Sequence, residues 1–130
     1  MQYANAYQES KRYAIESLSK GEVVIKLFEE AEKQVKMASI LIERESIAKS
    51  YNCIAKAQKI ITSLNLSLDM QYPISIELNE MYNFIFDKLG EANVNRDVQL
   101  LKDLLSLIND LKDSFKEAEK ISNPKRSRGL

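Results

Sequence analysis

The stretch from Ser46 to Asp69 constrains the fold of this chain more than any other. Placed on a helix at ~100° per residue, its apolar residues make two adjoining rows instead of one stripe. Ile47, Tyr51, Ile54, Ile61 and Leu68 form the first row, interrupted by Gln58 and Asn65, and Cys53, Ala57, Ile60 and Leu64 form the second. Together they cover about half the circumference, where packing on one side needs roughly 100°. Lys49, Asn52, Lys56, Lys59, Ser63 and Ser67 take most of the other half. Such a helix needs apolar neighbours on two sides. The rest of the chain must supply at least one. The pattern leaves open whether an outside partner supplies another, and which row would face it.

Three further helical stripes are present. From Gly21, the residues Val24, Phe28, Ala31, Val35, Ala38 and Ile42 step by three and four, and the stripe fails at Glu45, which predicts a break at 43–46 with Ser46 as N-cap. After Pro73, which cannot continue a helix, Leu78, Tyr82, Ile85, Leu89 and Ala92 predict a helix from a Ser75 cap to Ala92. Asn95 is the expected cap of a last helix from Arg96 to about Lys120, striped by Leu101, Leu104, Ile108, Leu111, Phe115 and Ala118. Val98, Leu100, Leu105 and Leu107 widen that stripe to about half the circumference as well. The expected fold is all-α: an antiparallel up-down four-helix bundle over residues 21–121, with helices of roughly 27–37 Å at ~1.5 Å per residue. Residues 1–20, which carry Tyr3, Tyr7 and Tyr13, are expected to form an N-terminal arm with a short helix, and residues 122–130 a disordered basic tail.

The residue inventory narrows function. With no histidine in 130 residues, there is no Ser-His-Asp triad, no histidine base and no Glu-x-x-His di-iron motif. A single cysteine, Cys53, makes neither a disulfide nor a cysteine-rich zinc site, and its place in an apolar row reads as core in a reducing compartment. Glycines stand only at 21, 90 and 129, too scattered for a phosphate-binding loop. The acidic group Glu29, Glu30 and Glu32 reads as a solvated face with Lys33 and Lys36 as partners. Nineteen basic and nineteen acidic residues cancel, and Lys125, Arg126 and Arg128 near the end are too few to indicate nucleic acid. No apolar run approaches the ~18 residues of a membrane span, and no signal-peptide pattern opens the chain. The expectation is a cytoplasmic protein with no enzymatic activity, no cofactor or metal, no membrane insertion and no nucleic-acid partner.

Two readings of the wide arcs remain. They are core and self-association surface, including a homodimer, or they are a groove for a partner helix. Ile61→Asp separates them. On a partner surface it removes binding and leaves the helical signal intact, whereas in a core it removes the fold.

The order of motifs resembles the flagellar export chaperones of the FliS family. Ala6-Tyr7-Gln8 is similar to the tyrosine that family carries near its start, and Ser19 to Ala31, with Leu27-Phe28-Glu29-Glu30-Ala31, resembles its Leu-Tyr-Asp-Gly-Ala-type run. Lys56-Ala-Gln-Lys-Ile-Ile-Thr-Ser-Leu64 followed by Leu68-Asp69 resembles Lys-Ala-Gln-x-Ile-Ile-x-x-Leu and Leu-Asp. Leu78-Asn-Glu-Met-Tyr82 and Leu89-Gly-Glu-Ala-Asn93 then follow in the family's order. Phe28 and Glu30 replace the usual Tyr and Gly, and Met70-Gln-Tyr-Pro73 stands where Gly-Gly is frequent.

The resemblance implies a chaperone that binds the C-terminal segment of flagellin, prevents premature polymerisation and aids export. It implies an arm at Tyr7 that covers part of the client groove. Ile54, Ala57, Ile61, Leu64 and Leu68 are the expected client surface, with Leu27 and Tyr7 contributing. A flagellar export component or an anti-sigma factor is compatible as a second partner. The alternative is a helical dimerisation or regulatory adaptor with another client.

Overall fold

A computed structural model of the protein describes residues 20–122. The expected arm at 1–20 and tail at 122–130 fall almost wholly outside these residues. Four helices account for the described chain: α1 (Lys20–Glu43), α2 (Ile47–Leu66), α3 (Ile74–Asn95) and α4 (Val98–Ser122). There is no strand among the described residues. Each helix packs on two others: α1 on α2 and α4, and α3 on α2 and α4. The α3–α4 pair packs least closely.

The four stripes meet in one core. Phe28, Val35, Ile54, Ile61, Leu64, Tyr82, Ile85, Leu89, Leu101 and Ile108 are fully buried, with Ala31, Ala38, Ala57 and Ala92 where backbones approach. The Phe28 ring lies 6.3 Å from Tyr82 and 5.3 Å from Phe115, both tilted, so one α1 side chain joins α3 and α4. Both rows of α2 enter this core. Cys53 is free and buried among them.

Turns are made without glycine. Glu45 (φ 61°) and Arg96 (φ 52°) adopt the left-handed conformation that usually selects glycine. Ser46 N donates to Leu41 O and Glu45 N to Ile42 O, the paired bonds of a Schellman stop, and Asp97 N donates to Ala92 O at the second turn. The expected break at 43–46 therefore stands, with backbone bonds doing what a glycine would ease. At the second turn the cap differs from expectation. Asn95 is the last residue of α3, and Asp97 caps α4, its Oδ1 accepting from Leu100 N at 3.0 Å. Ser75 is inside α3 rather than its cap, and its buried hydroxyl donates to Asp69 O at 2.6 Å. Asp69 Oδ1 in turn accepts from Gln71 N, which fixes the α2–α3 loop.

The acidic group on α1 is also more structural than the sequence reading assigned. Glu32 is buried, and Lys112 Nζ on α4 lies 2.9 Å from one carboxylate oxygen and 3.3 Å from the other. Its partner is thus across the α1–α4 seam and not Lys33 or Lys36.

Two outcomes follow for stability. Glu45→Gly and Arg96→Gly, made singly, are each expected to raise unfolding free energy by about 0.5–1 kcal/mol in urea titrations, because a left-handed residue with a β-carbon is strained by ~1–2 kcal/mol. Ile61→Asp, at a site 1 % exposed, is expected to abolish cooperative thermal unfolding in circular dichroism, since it sets a carboxylate among core side chains.

Candidate functional site

Ile54, Ala57, Ile61 and Leu64 were expected on a partner surface, and the structure places all four in the core. The reason is geometric: α2 has helix neighbours on both sides, so the middle of both rows turns inward while Tyr51 of the first row stays exposed. Leu27 and Leu68 are half-buried against that core. Tyr7 lies outside the described residues.

Two grooves on the outside are candidates instead. The first runs between the start of α3 and the end of α4, where packing is loosest. Ile74, Leu78, Met81, Leu111, Phe115 and Ala118 line it, with Glu77 and Ser114 at its edges. Ile74 is 57 % exposed, and Leu78, Met81 and Phe115 are half-buried, so apolar surface continues from core to solvent. Gly21 sits so close to Glu119 that a β-carbon there would overlap the carboxylate. The start of α1 thus lies beside the end of α4, at one end of this groove.

The second groove follows the α2–α3 seam, which is fastened from outside by side chains. Asn93 donates to Tyr51 O at 3.4 Å, Gln58 to Phe86 O at 3.1 Å and Asn65 to Asn83 Oδ1 at 3.1 Å. Tyr51, Gln58 and Asn65 are spaced by sevens, so one edge of α2 carries the ladder. The polar interruptions seen in the first row are these tethers. Gly90 leaves room for Gln58, whose amide nitrogen would stand 3.2 Å from a β-carbon at that position. Between the rungs lie Ile61, Thr62, Leu66, Tyr82 and Phe86, with Leu66 83 % and Phe86 39 % exposed.

Sequence reasoning assigned Leu78, Leu111 and Phe115 to stripes and did not single them out as surface. A usable signal was present in Ile74, which stands four residues before Leu78 in register with the α3 stripe but ahead of the expected Ser75 cap. Among the described residues no helix is long and apolar enough to cross a membrane, and no group of three or more His, Cys, Asp or Glu residues is placed to hold a metal.

Burial pushes the Tyr82 phenol from its ordinary 10.0 up to about 12. Below pH 10 the folded and unfolded chains both hold this proton. Between about 10 and 12 only the folded chain does, so stability is lost as pH rises through that window. Tyr82→Phe is expected to lose about 1 kcal/mol less than the parent between pH 9 and pH 11, read from urea titrations at the two values.

Fold and surface together define a class: an all-helical module that offers open apolar grooves. Comparison with known proteins makes the class specific. The family described as "Flagellar protein FliS" matches residues 3–122, and the chain belongs to that family. It is 25 % identical over 118 residues to the flagellar secretion chaperone FliS of Bacillus subtilis (strain 168), covering 91 % of this chain and 89 % of that one. It is likewise 25 % identical over 113 residues to the protein of the same name from Salmonella typhimurium (strain LT2), covering 85 % and 84 %.

Proposed function

We propose that this protein is a cytoplasmic, non-enzymatic flagellar export chaperone, and that its client is the C-terminal segment of flagellin. Family membership supports the chaperone role, and both relatives carry that name. The observation that carries the binding mode is the apolar α3–α4 groove. In an antiparallel up-down bundle, a groove between neighbouring helices accepts the apolar face of a third helix. A client segment that is unstructured when free folds onto this surface, and its ordering cost of several kcal/mol demands a contact of this apolar kind.

The client surface is accordingly Ile74, Leu78, Met81, Leu111 and Phe115, with the half-buried Leu27 and Leu68 contributing. Tyr7 belongs to the segment that precedes α1, and it covers part of the groove until client displaces it. The buried Ile54, Ala57, Ile61 and Leu64 serve the client indirectly, by holding the helices that form the groove.

Calorimetric titration with the last ~40 residues of flagellin from the same genome is expected to show one-to-one binding, a large negative heat-capacity change and a gain in helical signal. Ile74→Asp and Ser114→Arg, both at exposed positions, are expected to weaken that binding at least ten-fold with the thermal midpoint kept. Binding that persists unchanged in both variants would move the client elsewhere. No heat at any temperature would remove flagellin as the client.

A further inference from the structure

Helix α2 is the one helix whose exposed charges share a sign. It carries Lys49, Lys56 and Lys59 and no acidic residue. All three lysines are exposed, and among the described residues none of them makes an ion pair. The neighbouring α3 carries the reverse, with exposed Glu80, Asp87 and Glu91 among its four carboxylates and a single lysine, Lys88.

Beside the α2 lysines is a shallow apolar depression. Ala55, Gln58, Lys59, Thr62, Ser63 and Phe86 line it, and it continues into the α2–α3 groove. The Gln58 and Asn65 bonds to α3 hold its two walls at fixed spacing, so it exists before any partner arrives. An apolar floor with Lys59 at its α2 side, between a helix whose charges are all basic and one whose charges are mostly acidic, is a directional site. It selects both the composition and the polarity of what lies in it.

We propose that this face is a second docking surface, distinct from the α3–α4 groove, and that its occupant is an amphipathic helix of a protein partner with carboxylates along the edge that meets α2 and cations along the edge that meets α3. Lys56 and Lys59 face the partner's carboxylates, and Phe86 with Thr62 receives its apolar stripe. Nucleic acid does not fit. Three lysines neutralise few phosphates, and the carboxylates of α3 repel a phosphate backbone. A second copy packed α2 on α3 would satisfy the charges too, and oligomeric state decides that case.

The test uses the full chain and two synthetic helical peptides with one shared apolar stripe, the first edged by Glu on one side and Lys on the other, the second edged by Lys on both. The Glu/Lys peptide is expected to bind at least ten-fold tighter at low salt, with the difference shrinking as salt rises. Lys56→Glu/Lys59→Glu is expected to reverse the preference, and Phe86→Ala to weaken both peptides. Titration of the flagellin segment into the double variant is expected to match the parent, which separates this surface from the client site. Equal affinity for the two peptides, or an unchanged preference in the double variant, overturns the proposal. So does a concentration-dependent dimer in sedimentation that Lys56→Glu/Lys59→Glu dissolves, since a second copy is then the occupant.

Discussion

Two-sided burial of α2 is the constraint on which the rest of the molecule depends. A helix with apolar residues over half its circumference must have α1 on one side and α3 on the other, and each of those must then find α4. Phe28 completes the circuit by touching both Tyr82 on α3 and Phe115 on α4. What remains exposed on α2 is a mostly polar strip, with Tyr51 and Leu66 as apolar exceptions at its edge. Apolar recognition therefore falls to the seams between helices.

The same constraint explains what could be read from the sequence. The four stripes gave the helices, because a three-four repeat of Val24, Phe28, Ala31 and Val35 has no other economical reading. The breaks were legible to within a few residues. Their chemistry was less so: a left-handed Glu45 or Arg96 carries no mark in the sequence, since the stop is made by backbone bonds. The Asn95 cap was misplaced by two residues because Asp97, an equally good acceptor, stands just beyond it.

The candidate surface was harder to read, for a physical reason. Apolar width says how much of a helix is buried and is silent on whether the cover is intramolecular. Ile54, Ala57, Ile61 and Leu64 look the same in either case, and three-dimensional packing gives them to the core. The useful sequence signal lay in residues that break a stripe or run past its end. Gln58 and Asn65 break one with polar groups and prove to be tethers. Ile74 continues the α3 stripe one step ahead of its expected start and is exposed groove wall.

That division also sets the character of the two seams. Between α2 and α3, side-chain amides bond across the helices, and a partner there meets walls that resist spreading, so affinity must come from fitting charge and shape already present. Between α3 and α4, packing is looser and half-buried Leu78, Met81 and Phe115 grade into solvent. Methionine and aromatic side chains in such a place adjust to what enters. An adjustable seam suits a segment that orders as it binds. A prefolded partner helix is served by the fixed one. Loose packing at one seam is tolerable because the tethered seam and the Glu32–Lys112 pair hold the other helices in register.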